Sequence, residues 1–600
     1  MQAGYEASWF LLLLFWRFHM RVDLRALRNE FFTFSPGLFT KYSFGDFLLG
    51  LPQQSFFAVT CPQINAGATQ YGVYGQDSWQ VNSHLTVNFG LRWELLPPFT
   101  EAIGDLASFD PQINSVLIPN KFLQTVANNP DLQNQYTGFL ESFNACSLPG
   151  RNMSLQCSNV KTASQAGVTQ GLRQLYLRNL DPRISVAYRP FKNSKTVIRA
   201  GFGIFTMTTL GPMSWNNAGN PTSDLITNVN SISNGTPQFQ FPQTAPATSS
   251  ITYGGGSLEE ANDPNWRDPQ SAQWNLTVER QVNPNTIARV SYVGMASYRL
   301  PYTIDLNQIP ASTTPYAVAP GAFVDPRAPY QNWLLLMTSV SEGNASYQAM
   351  KAEVQHKFSH GLSFQGSYTW AKNISDAQGS DAPVTFASEE PYAVEIANRF
   401  DLRHDRGNVV GRPRQRLLVT GIYQLPFKTT RSSFLKAVVE GWNVSTITTI
   451  QTGQWLTPTI SPVYDQSNTD MIVRSGGGAV ARPDCVGNPI PSNQTPQNFF
   501  NINAFVPTPA GAGRFGNCGL GTLQGPGMID VDAGIAKQLQ ITERLRLRFE
   551  ASFTNVLNHT NYAPPATNVS NPSTFGVLES ALPQGSGGNR TGQLALRLDF

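Results

Sequence analysis

The stretch LRLRFEASFT, residues 545–554, decides how the rest of the chain is read. Leu545, Leu547, Phe549, Ala551 and Phe553 fall on one side of an extended strand, and Arg546, Arg548, Glu550, Ser552 and Thr554 on the other, because strand side chains alternate with a period of two. One side is greasy and the other charged, so the strand divides an apolar medium from a polar one. A second alternating segment, 531–538, ends shortly upstream across a turn holding Thr542 and Glu543. Downstream, the loop 556–590 leads to a last alternating segment, 592–600, with Leu594, Leu596, Leu598 and Phe600 on one face and Gln593, Arg597 and Asp599 on the other.

The same rhythm runs back along the chain. Segments 71–79 and 84–93 are joined by Asn82 and Ser83, and 182–189 joins 195–205 through 190–194. The pairs 272–280 with 286–293, 347–358 with 362–371, and 414–425 with 440–450 repeat it, the last across a longer polar turn. Each segment has about the 9–12 residues that cross a bilayer as a tilted strand. Between the pairs lie stretches rich in Asn, Ser, Thr, Pro and Gly at 96–181, 206–271, 294–346, 372–413, 451–528 and 556–590. Structureless loops of that length argue against a compact soluble domain. Every other connection is short and every other one long, which predicts an all-β fold: a transmembrane, up-and-down antiparallel β-barrel with short periplasmic turns and long extracellular loops. With a weaker strand at 41–49, the pattern predicts about 14 strands, and closure is obligatory because lipid cannot satisfy an open edge.

Composition agrees. Charged residues are 14% of the chain, well below the roughly 25% of ordinary soluble proteins. Aromatic residues reach 11%, as a barrel with interfacial girdles requires. The net charge of +3 and the absence of a Lys/Arg run exclude a nucleic-acid partner. No apolar run reaches the roughly 18 residues of a transmembrane helix. The run 9–16 has no Lys or Arg before it, whereas Arg17 and Arg21 follow it, the wrong order for a secretory signal. No convincing signal peptide is therefore read, and residues 1–40 stand as an uncertain start, with truncation of a longer gene as one reading.

No catalytic, cofactor or metal constellation emerges. The six histidines are scattered. His356 and His360 flank a tight turn, and no HExxH, GxSxG or phosphate-binding loop occurs. The glycine runs 254–256 and 476–478 read as loop tips, and Asp376 and Asp381 as solvated loop carboxylates. Among five cysteines, Cys146 and Cys157 share one long loop and Cys485 and Cys518 another, with Cys61 left over. Two loop-closing disulfides, each worth on the order of 3 kcal/mol, and free inert thiols are both open readings. The charged face of the strands (Arg199, Lys351, Glu353, Lys357, Arg546, Arg548, Glu550) suits a wet lumen or a polar plug, since charges facing lipid cost several kcal/mol.

Several of these segments resemble TonB-dependent transporters of the Oar-like group. The likeness rests on YGVYGQDSW (71–79) with LTVNFGLRWE (85–94), DPRI (181–184), RAGFGIF (199–205), QWNL (273–276) with VSYVG (290–294), FSHGLSF (358–364), SYTW (367–370), GWNV (441–444) and FEASFTNVLNH (549–559), in that order along the chain. It covers residues 41–600. The resemblance implies a barrel of about 22 strands, of which this chain holds the C-terminal part, without the plug and N-terminal domain that such receptors carry. It also implies the outer membrane of a Gram-negative type bacterium, uptake of a large or scarce solute, a TonB complex engaged only if a plug is supplied by the full-length protein, and Phe600 as the signal to the barrel-insertion machinery. Outer-membrane lipid is the one partner common to every barrel reading. The alternatives are a plug-less passive pore or surface-adhesion barrel, and a soluble extracellular all-β binding protein. No enzyme activity and no cofactor is expected.

Overall fold

The computed structural model describes residues 12–600, apart from 24–30, 35–39, 41–42, 53, 59–62, 131–132, 134–135, 138–139, 141–144, 147–156, 193–194, 208–224, 230–231, 234–235, 238, 244–255, 319–323, 379–395, 475–478 and 543–544. Fourteen long strands form one antiparallel wall. They are β1 (Leu12–Asp23), β2 (Gln63–Asn82), β3 (Leu85–Leu95), β4 (Asn179–Tyr188), β5 (Thr196–Thr206), β6 (Gln270–Asn283) and β7 (Thr286–Asp305). The series continues with β8 (Trp333–Ser359), β9 (Leu362–Ser375), β10 (Gln415–Gln424), β11 (Trp442–Gln451), β12 (Met528–Gln540), β13 (Arg546–Thr554) and β14 (Thr591–Asp599). Each pairs with the next, so spatial order equals chain order throughout. Three short strands outside this series complete a 17-stranded sheet. Among the described residues β1 and β14 are the two edges of the wall.

Register carries the alternation from strand to strand. Leu547, Phe549 and Ala551 lie opposite Leu598, Leu596 and Leu594, while Arg546 meets Asp599 and Ser552 meets Gln593. The apolar side is continuous elsewhere too: Leu276 opposes Tyr292, Tyr292 opposes Met350, and Met350 opposes Trp370. One tight hairpin shows why the turns fall where they do. Between β8 and β9, His360 and Gly361 both adopt positive φ, at 51° and 82°, the conformation that matches the twist of a two-residue hairpin.

Two expectations change. The segment 41–49 is not a strand: it holds the helix α1 (Ser43–Leu48), and the fourteenth strand is β1, which runs through the apolar segment ahead of Arg17 and pairs with β2 from Leu12 against Tyr74 to Asp23 against Gln63. An apolar run that lacks period-two alternation gives no sign of being a strand, which is why it escaped. The long connections, read as structureless, are packed over much of their described length. Strands β2, β7 and β8 have 20, 20 and 27 residues, about twice the length a bilayer needs, and they rise into an extracellular head built from the loops. The buried apolar side chains concentrate there, in clusters around Phe109, Phe122 and Trp333, around Phe500, Phe505 and Phe575, and around Ile460, Ile472 and Phe515. The helix α2 (Asn120–Ala127) turns Phe122 and Val126 into the first of these.

Candidate functional site

The wall offers one polar face, and its best-defined feature is a ladder of charges across four strands. Glu279 of β6 lies opposite Arg289 of β7, and Arg289 lies opposite Glu353 of β8. Opposite charges directly across a strand pair stabilise it, and here they chain together. The Arg289 guanidinium sits 2.7 Å from Glu279 and 3.3 Å from Glu353. Arg199 of β5 closes on Glu279 at 3.3 Å, and Lys351 closes on Glu353 at 2.8 Å. The next rung is neutral: Thr277 donates to Ser291 at 3.0 Å. Arg548 and Glu550 form a separate pair at 3.0 Å on β13.

Two hollows lie along this face. One, of about 840 Å³, is lined by Gln355, Gln365, Thr420, Ser445, Ser552 and Gln593 among others. The other, of about 770 Å³, includes Gln76, Asn88, Arg183, Ser185, Gln273 and Asn275. Their linings mix these amides and hydroxyls with apolar groups such as Ile422 and Ile447 in the first and Phe205 and Val293 in the second, with few charges, so they suit a filling of mixed polarity.

Above the wall, the six long loops are tied into one network. Ser108 donates to the Asn262 carbonyl at 2.8 Å, and Trp333 Nε1 donates to Ser158 at 2.9 Å. Gln308 Nε2 reaches the Ala397 carbonyl at 2.7 Å, Arg482 Nη1 the His404 carbonyl at 2.8 Å, and the Thr459 N–H the Thr567 carbonyl at 2.9 Å. The deepest tie is ionic. Asp405 is buried against Arg482 and His404 and accepts the Ala397 N–H at 3.0 Å. Burial alone would raise its carboxyl, but the charge of Arg482 and the His404 hydrogen bond outweigh burial and hold it below the ordinary carboxylate range. Arg514 grips Asp484 with both terminal guanidinium nitrogens, at 2.7 and 2.6 Å, and that hydrogen bonding, against burial, keeps Asp484 low as well.

The residues singled out from sequence fall in different parts of this arrangement. Cys146 and Cys157 are joined with Cα atoms 5.1 Å apart, and Cys485 and Cys518 with Cα atoms 5.0 Å apart, the second bond beside the Arg514–Asp484 pair. Cys61, Asp381 and the glycines 476–478 lie outside the described residues. Phe600 follows β14 and is 96% exposed, in line with Leu594 and Leu596 at 71% and 70%. His356 bonds Thr286 at 2.8 Å and His360 bonds Ser359 at 2.9 Å, so the two histidines serve separate partners. Asp376 is buried rather than solvated. Among the described residues no group of three or more His, Cys, Asp or Glu is placed to hold a metal ion. Sequence reading missed the partners Glu279 and Arg289 of the ladder, and the head's ion pairs. Glu279 and Arg289 were visible as opposed charges on one hairpin. The Asp405–Arg482 pair had no local signal.

The model of the outer membrane beta barrel domain matches residues 14–593. Among solved structures, the ferripyoverdine receptor of the outer membrane of Pseudomonas aeruginosa is similar at 10% identity and a TM-score of 0.39, over 90% of this chain and 40% of that one. The ferric-catecholate import receptor Fiu from K12 E. coli is similar at 10% identity and 0.36, over 91% and 50%. The copper transporter OprC is similar at 9% identity and 0.36, over 91% and 54%. The chain thus spans about half the length of these structures or less. No curated protein sequence matches it.

Proposed function

The chain belongs to the outer membrane beta barrel domain family, and from that premise we propose that it forms the wall and extracellular head of a TonB-dependent, Oar-like receptor that takes up a large or scarce solute. The observation that carries the proposal is the interlocked head. A passive pore works through an open mouth, whereas here all six long loops are joined through buried contacts such as Trp333 on Ser158 and Arg482 on Asp405. A head of that order presents a fixed surface, as recognition of one solute requires.

The polar face then meets a plug supplied by sequence outside this chain, and the TonB complex is reached only through that plug. Residues 41–600 are the proposed barrel region, with β1 added at its leading edge, and further strands are proposed to close the two edges that lipid would otherwise meet. Phe600 is proposed to address the barrel-insertion machinery, and the two disulfides to persist in the oxidising exterior. The soluble extracellular reading fits poorly with continuous apolar rows on one face of the wall.

Peptide mapping of the mature protein from outer membranes tests the receptor reading. The expected result is a plug segment in the same polypeptide, and uptake that stops when the proton-motive force is collapsed. A mature protein without such a segment, admitting small solutes with no energy input, would make the chain a passive pore instead.

A further inference from the structure

The connection between β10 and β11 is out of character for its side of the wall. The turns after β2, β6 and β8 take two residues each, yet this one runs over 425–441 and contains a helix, α3 (Ser433–Val439). Ser432 starts the helix by accepting the Leu435 N–H at 3.2 Å, Glu440 caps its end in an extended conformation, and Gly441 at φ 81° leads into β11. Ordering so many residues where two suffice costs conformational entropy, and the compensating contact lies on the outside of the wall. Trp442 and Lys537 face each other in register on the apolar side, in one row with Phe549. The indole N–H of Trp442 donates to the Val438 carbonyl at 3.0 Å. The Lys537 ammonium donates to the carbonyls of Val438 at 2.6 Å and Glu440 at 2.9 Å, and rests 4.7 Å from the Trp442 ring centre. These bonds pin the C-terminal end of α3 to the lipid-facing surface at the periplasmic rim.

Held there, α3 turns its apolar side chains outward. Phe434 is 76% exposed, and Phe427, Leu435 and Val438 are exposed with it. Interleaved with them are Lys428, Arg431 and Lys436, also exposed. The single carboxylate of the segment, Glu440, is turned inward to the Thr429 N–H at 3.0 Å. Aromatic and aliphatic groups beside a cationic set, at the depth where a Trp–Lys pair marks the interface, are complementary to acyl chains beneath anionic headgroups. We propose that α3 and its flanking turn form a lipid-docking foot that seats in the periplasmic leaflet and selects anionic phospholipid of the phosphatidylglycerol class. The inference rests on the outer-membrane location and the sidedness of the wall, and holds equally for a receptor and for a pore.

A photo-crosslinking benzoylphenylalanine in place of Phe434, with the same probe in place of Leu557 on the extracellular side as control, tests it in the full chain reconstituted into vesicles of phosphatidylethanolamine and phosphatidylglycerol. Lipid adducts are expected at 434, enriched in phosphatidylglycerol over its share of the vesicle, and few at 557. In the probe-bearing chain carrying K428Q, R431Q and K436Q together, the enrichment is expected to fall at least about fivefold while heat-modifiable migration on gels is kept. No lipid adduct at 434, or capture of a periplasmic protein there in cells, would overturn the docking. An enrichment unchanged by the triple substitution would overturn the anionic selectivity.

Discussion

On the apolar face, two aromatic rings lie across glycines of the neighbouring strand. Trp274 opposes Gly294, where an added Cβ would come within 2.2 Å of the indole, and Phe553 opposes Gly592, where it would come within 2.6 Å of the ring. The glycine lends its empty side to the ring, and the ring shields a backbone that would otherwise be bare to lipid. Gly294→Val should therefore lower wall stability by about 1–3 kcal/mol through overpacking, seen as an earlier denaturant midpoint in lipid vesicles; an unchanged midpoint would show that the ring moves freely. In the head, Asp405 is the residue to titrate. Its carboxyl is held low in the folded state, so its contribution is complete above the unfolded value of about 3.9 and drains only as pH falls through the lower folded value. The head should keep its amide-exchange protection around Ala397 at pH 5 and lose it only in stronger acid. Arg482→Met should cost about 3–5 kcal/mol by leaving the buried carboxylate without its guanidinium partner. That deficit should shrink on acidification, because a protonated Asp405 no longer needs the cation. Alternation assigns a face to Trp274 and to Glu279 alike, and the two-residue turn of their hairpin sets Glu279 against Arg289, but it does not say which residues of other hairpins stand opposite, so the rest of the ladder and the seat of Phe553 on Gly592 could not be read without register.

Hairpins were the legible elements, and for a physical reason: both of their strands alternate and their turns are short enough to carry their own chemistry, as His360 and Gly361 do. The ladder grows directly from that regularity. Arg289 binds two carboxylates while Lys351 binds one, and all are partly open to solvent, so each link is worth about 0.2–1 kcal/mol. Arg289→Met should accordingly destabilise the wall by roughly twice as much as Lys351→Met, with both losses smaller in 1 M salt; equal losses, or losses indifferent to salt, would mean that the ladder holds nothing together. Elements without alternation were the ones misread. Phe44 and Phe47 stand three apart, which puts them on one side of a helical turn and on opposite faces of a strand, and the helix is what forms. β1 is apolar on both faces through Leu12, Leu13 and Leu14, which no period distinguishes from a targeting segment. α3 hid inside a connection whose composition read as polar.

For the whole molecule, the inside and the outside are arranged in two tiers. The wall keeps few side chains from contact with lipid or lumen, and the rows through Leu276, Tyr292 and Met350 remain exposed; the packed core belongs to the head. The purified chain should therefore require detergent, migrate faster on gels before boiling than after, and precipitate when detergent is withdrawn. A protein that stayed monodisperse without detergent would contradict the placement of those rows in lipid. The existence and sidedness of the wall were legible because each strand announces itself locally. The head was not, because its contacts join residues far apart in the chain: Ser158 to Trp333, Arg173 to Asp268, Arg482 to Asp405. Composition shows only that those loops are long. The distance spanned by those ties also sets a timetable. Ser158 and Trp333 are separated in sequence by β4 to β7, so the two can meet only once those strands stand side by side across the membrane. Distant pairings of this kind form late and slowly. Each loop must cross as a loose thread and wait on the far side for its neighbour, which makes the finished head a certificate that the wall beneath it has been laid in order.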